Sequence, residues 1–82
     1  MLEDIRNNIP LLREIISKNI KDLRKSQNTT QEDLARLTGI SRPTIARIET
    51  CQHSISVEHL FIIAKALEAS INDLLDGWED VS

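Results

Sequence analysis

The sequence predicts an all-α fold of five helices packed as one domain. Three observations predict it. Apolar residues recur at spacings of three and four along most of the chain, and no segment alternates as a half-buried strand would. Hydroxyl side chains (Thr30, Ser41, Ser56, Ser70) stand where successive helices would begin, as N-caps do. The length of 82 residues suits a single core, and an apolar share of 40% is ordinary for a globular chain.

The first helix of the domain spans residues 10–27. Leu12, Ile16, Ile20 and Leu23 form its buried stripe, and Pro10 fits a first-turn position because the N–H it lacks would have no helical partner there. The run "NTT" ends it. The second helix starts after Thr30, which with Asp33 has capping-box spacing, and Glu32 and Asp33 complement the positive end of the helix dipole. Leu34, Ala35 and Leu37 supply its buried side, and Gly39 suits a left-handed C′ position.

Ser41 caps the third helix through the Thr44 N–H, with Pro43 in its first turn. That helix ends near Glu49, and only Ile45 and Ile48 on it are built for burial. The fourth covers residues 57–68 behind Ser56, burying Leu60, Phe61, Ile63, Ala64 and Leu67. A short fifth follows Ser70, with Asp73 at capping-box spacing; it buries Ile71, Leu74 and Leu75 and stops at Gly77. The chain thus divides into an N-terminal extension (1–9), the helical domain (10–77) and an acidic tail (78–82).

Composition narrows the function. The net charge of −3 hides a division: residues 1–50 carry nine Lys and Arg against seven Asp and Glu, whereas residues 51–82 carry Lys65 alone against six acids. A uniformly basic nucleic-acid coat is excluded, but one basic face is not. Phe61 and Trp78 are the only large rings, too few for a platform that stacks single-stranded bases, so duplex DNA is the better ligand. A single cysteine, no signal-peptide pattern and no membrane-length apolar run give the expectation of a cytoplasmic protein without disulfides.

The stretch "QEDLARLTGISRPTIARIET" carries the functional signal. Ala35 is small where two helices would touch, Gly39 makes the turn four residues on, and Ile40, Ile45 and Ile48 pin the next helix to the core. Those offsets match a helix-turn-helix, whose second helix crosses the first and offers its far side to the major groove.

On "IKDLRKSQNTTQEDLARLTGISRPTIARIE" and "SVEHLFIIAKALEASINDLL", residues 16–75 resemble the lambda-repressor-like (Cro/cI, or XRE) helix-turn-helix domains. The resemblance implies a five-helix DNA-binding domain acting as a dimer on operator DNA, with two recognition helices about 34 Å apart. It places Arg42, Pro43 and Arg47 toward bases, where an arginine can donate twice to guanine O6 and N7. It places Gln31, Ser41, Thr44 and Thr50 toward phosphates. It also makes Arg24 and Glu49 an internal ion pair that orients the recognition helix.

The chain departs from that pattern after Glu49. Where the family has glycine and then basic residues, this sequence has "TCQHSIS". Cys51 in a left-handed conformation would cost roughly 1 kcal/mol, and Gln52 and His53 are left as uncharged phosphate-side candidates. Fewer phosphate contacts mean weaker binding with a shallower salt dependence. Cys51, His53 and His59 are the residues a metal or nucleophilic site would draw on. No fourth ligand or orienting group accompanies them, so they read as a free thiol and two surface imidazoles. Neither an enzyme nor a cofactor is expected.

The reading is therefore a sequence-specific regulator of double-stranded DNA, most simply a repressor, a restriction-modification controller or an antitoxin. The alternative is an antitoxin-like protein-interaction module with weak or no DNA binding. Ile5 and Ile9, which continue the apolar stripe past Pro10, and Trp78 in the acidic tail are its candidate partner contacts.

Overall fold

Pro10 decides where the long helix of the domain begins. Its ring has no N–H to offer and clashes with the carbonyl four residues back, so a helix running in from the N-terminus must break just before it. In the computed structural model, which describes residues 2–80, helix α1 (Leu2–Asn7) ends there and α2 (Ile9–Ser26) starts with the proline in its first turn. The extension before the domain thus forms a helix of its own.

The remaining elements are α3 (Gln31–Thr38), α4 (Arg42–Glu49), α5 (Val57–Ala66), α6 (Ile71–Leu74) and a final 3-10 turn (Trp78–Asp80). All described secondary structure is helical, and α2 to α6 are the five helices expected. Each cap forms as the hydroxyls predict. Thr30 and Ser70 accept from the Asp33 and Asp73 N–H groups in complete capping boxes, while Ser41 and Ser56 accept from the Thr44 and His59 N–H groups.

The core gathers one stripe from each helix: Ile16 and Ile20, Leu34, Ile45 and Ile48, then Ile63, Ala64 and Leu67, with Leu74 closing the end. Ile40 joins it from the turn. Around this core α3 packs against α4 and α5, and α2 packs against α4 and α6.

Two residues expected in the core are outside it. On α3, Gln31, Ala35 and Thr38 are half-buried and all lie on one side of Leu34. Leu37, at −60° from Leu34 around the helix, therefore falls on the other side and is 63% exposed. On α5, Leu60, Ile63, Ala64 and Leu67 complete the i, i+3, i+4, i+7 stripe without Phe61, which is 51% exposed with the Lys65 ammonium 5.5 Å from its ring centre. Ile71 and Leu75, also expected inside, are half-buried.

Left-handed residues end four helices. Gly39 (φ 78°) follows α3, and Asn28, Cys51 and Glu68 follow α2, α4 and α5 at φ 56°, 61° and 53°. In these last three the next N–H reaches back five residues: Thr29 to the Arg24 carbonyl, Gln52 to Arg47 and Ala69 to Ala64. Together with the shorter bonds from Asn28, Cys51 and Glu68 to Lys25, Ile48 and Lys65, these are complete Schellman motifs. The α4 motif is built on the cysteine that stands where glycine would relieve strain.

Candidate nucleic-acid interface

Helix α4 is short, so its orientation depends on what grips its ends. At its start, Ser41 accepts the Thr44 N–H and donates its own hydroxyl hydrogen to Thr44 Oγ1 at 2.8 Å. At its finish, Glu49 turns inward and meets Arg24 of α2. Arg24 Nε donates to Glu49 Oε2 at 2.7 Å and Nη2 to Oε1 at 2.8 Å, a bidentate pair whose side chains are 10% and 2% exposed.

Two further bonds complete the clamp. The Gln31 amide of α3 donates to Glu49 Oε1 at 3.1 Å, and Arg24 Nη1 donates to the Thr29 carbonyl at 2.9 Å. Burial alone would raise the pKa of Glu49. The hydrogen bonds from Arg24 and Gln31, with the charges of Arg24 and Lys21, outweigh it and hold the carboxyl below its ordinary range. Glu49 is thus an anion fixed between three helices.

Sequence reasoning found Arg24 and Glu49 but missed Ser17. Buried in α2, Ser17 donates to the Ile48 carbonyl at 2.6 Å and receives the Cys51 thiol at 3.1 Å, a further tie at the end of α4. Its partners lie more than thirty residues away, and a serine beside Ile16 carries no periodic signal of them.

With Ile45, Ile48 and Glu49 turned inward, Pro43 and Arg47 stand exposed on the opposite side and Arg42 is exposed at the N-terminal end, and among the described residues neither arginine forms an ion pair. Arg42 shares a shallow cleft with Thr30, Gln31 and Arg24, so the start of α3 and the start of α4 meet on one surface. Thr44 is half-buried and receives the Ser41 hydroxyl hydrogen, which leaves its own hydrogen free to donate. Gln31 is anchored by Glu49 yet keeps a second amide hydrogen. Thr50 turns its hydroxyl hydrogen back to the Ala46 carbonyl at 3.0 Å.

Gln52 and His53 are exposed on the loop beyond. His59, expected at the surface, is half-buried with Nδ1 lacking any hydrogen-bond partner, and Cys51 carries a free thiol. No cluster of three potential metal ligands occurs among the described residues.

A helix tied at its C-terminal end to α2 and α3, with two exposed arginines that form no ion pair among the described residues, fits a DNA-binding transcriptional regulator of the helix-turn-helix class. Residues 20–74 match the Helix-turn-helix family, and the chain belongs to it. Among its relatives is the control protein C.SmaI of Serratia marcescens, 34% identical over 64 residues that cover 78% of this chain and 76% of that protein. Antitoxin PezA of Streptococcus pneumoniae serotype 4 is 41% identical over 61 residues, which cover 74% of this chain but 39% of PezA. The crystal structure of the restriction-modification controller protein C.AhdI from Aeromonas hydrophila superposes with a TM-score of 0.73 at 26% identity, covering 76% of this chain and 94% of that one.

Proposed function

We propose that this protein is a sequence-specific repressor that binds duplex DNA as a homodimer, without catalytic activity. α4 lies in the major groove, with Arg42 and Arg47 donating to base edges and Pro43 beside them. Gln31, Ser41, Thr44 and Thr50, with Gln52 and His53 of the loop, approach the phosphates. The observation that carries this reading is the pair of unpaired, exposed arginines on a helix whose inner side is locked by Glu49.

A dimer needs a surface, and Val57, Phe61 and Ile62 of α5 are 74%, 51% and 36% exposed, an apolar face left over from the core. The likeness to the control protein C.SmaI and to the restriction-modification controller protein C.AhdI favours a controller's role here.

The test is affinity for a duplex selected from a random library. Arg42→Ala and Arg47→Ala should each weaken binding by about 1–3 kcal/mol, roughly 5- to 150-fold, with the melting curve unchanged. Unchanged affinity in both variants would refute the assignment of the site.

A second reading, an antitoxin-like partner-binding protein, draws on Ile5, Ile9, Leu11 and Trp78, which are 64%, 44%, 48% and 57% exposed. Under it, substitution of Ile5 or Trp78 would abolish the biological effect while DNA binding stayed intact.

A further inference from the structure

The loop after α4 lacks the cations that would grip phosphate, yet the surface beside it is not poor in positive charge. Along α2, Glu14, Lys18, Lys21 and Lys25 recur at steps of four, three and four, which places them in one row. α2 packs against α4, and the row borders an open groove whose opposite wall is Glu49, Thr50 and Cys51. The lysines therefore lie alongside the end of α4, just before the loop where the basic residues are missing.

The lining holds Lys18, Lys21 and Lys25 against Glu14, Asp22 and Glu49, and Arg24 behind Glu49 tips the balance to one positive charge. Lys18 is matched by Asp22 one turn on, with Nζ 2.7 Å from the carboxylate. Glu49 is neutralised by Arg24 and further satisfied by Gln31. Glu14 stands at the far end of the row, two turns before Lys21. Lys21 and Lys25 form no ion pair among the described residues, so two free ammonium groups remain. Lys25 is exposed and Lys21 half-buried, the latter close enough to Glu49 for its charge to lower that carboxyl's pKa.

Position gives these two groups a ligand. Lys25 follows Arg24, whose guanidinium shares a cleft with Gln31 and Arg42, while Lys21 borders Thr50. A polyanion lying in this groove would meet Lys21, Lys25 and Thr50 together. A phosphodiester strand has that linear charge, one phosphate for each few ångströms of length.

We infer that Lys21 and Lys25 form a second phosphate-binding row on α2, which takes over from the cations absent at Gln52 and His53. This inference rests on the reading of α4 as a major-groove helix and adds residues which that reading does not contain. Lysine suits the task as a strongly hydrated point charge on a flexible stem, able to follow a backbone without demanding a base sequence.

The experiment is the salt dependence of binding to the selected duplex, for the intact protein and for Lys21→Ala/Lys25→Ala. Each lost phosphate contact lowers the slope of log affinity against log salt by about 0.9, so the double variant should lose about 1.8 for every half-site occupied. Its preferred DNA sequence should not change. Arg13→Ala, on α2 but outside this groove, should leave the slope as it is.

A slope equal to that of the intact protein would overturn the inference while leaving the recognition helix standing. It would assign Lys21 to the lesser task of complementing the negative C-terminal end of α4. Should Arg42→Ala and Arg47→Ala also bind like the intact protein, or the intact protein fail to bind duplex DNA, both readings fall together.

Discussion

Replacing Arg24 with methionine removes the cation from the Arg24–Glu49 clamp and keeps most of the side-chain bulk. Its consequence follows from the burial of the partner. Glu49 is 2% exposed at the side chain and would keep only the Gln31 amide, at 3.1 Å, as a donor. Breaking a buried ion pair by deleting one member costs about 3–5 kcal/mol, because the remaining charge stays desolvated. A chain this long has roughly 4–12 kcal/mol in all, so the variant should lose at least a quarter of its stability and, at the upper end, all of it. At about 4–8 °C for each kcal/mol, the melting temperature should fall by at least ~12 °C.

Circular dichroism melts of four proteins would measure this: the parent, Arg24→Met, Glu49→Leu and the double variant. The double variant should recover most of the loss, since a well-packed apolar pair replaces a buried ionic one at little net cost. Its DNA affinity should stay depressed, because the bidentate geometry that orients α4 is gone. A loss of under about 0.5 kcal/mol in Arg24→Met would refute the reasoning, for it would mean that solvent screens the pair as it does at a surface.

Further outcomes follow from the same geometry. The folded-state pKa of Glu49 lies below its ordinary value of 4.5, so the unfolded chain binds more protons as the pH falls through that range. The stability it contributes is fully present above about pH 4.5 and is lost as pH falls through the folded value; denaturant titrations from roughly pH 2 to 6 should show this slope, reduced in Arg24→Met/Glu49→Leu. Ser41→Ala deletes the α4 cap and should cost about 1 kcal/mol in the same melts. Cys51→Gly relieves a left-handed side chain worth about 1–2 kcal/mol but adds a glycine entropy cost of about 0.4–1 and removes the thiol's bond to Ser17, so stability should move by less than about 1 kcal/mol. Phe61→Asp should leave the monomer folded and abolish the dimer in sedimentation experiments.

Sequence patterns revealed most of the fold because each local signal had one physical meaning. Thr30, Ser41, Ser56 and Ser70 cap helices wherever they precede an apolar period, and all four do so here. Leu37 and Phe61 were misplaced because spacing defines a face only to within one residue's rotation; neighbouring helices decide which side of Leu34 or of Ile63 is covered. The Schellman ends at Asn28 and Glu68 were invisible, since neither residue type demands a positive φ.

The candidate site divides in the same way. Arg42 and Arg47 are legible because they share a motif with fixed offsets. Ser17, Lys21 and Lys25 are not, because their importance comes from α2 lying beside the end of α4, a contact between segments some thirty residues apart. A lysine row on a helix looks the same in sequence whether it faces open solvent or borders a groove.

The central claim, that the outward side of α4 reads bases in duplex DNA, is tested most directly by selection from a random duplex library near physiological salt. Sequencing of the retained DNA should return a guanine-containing palindrome whose half-sites lie about one helical turn apart. A folded protein that enriches no motif, and that retains DNA only at low salt, would contradict it.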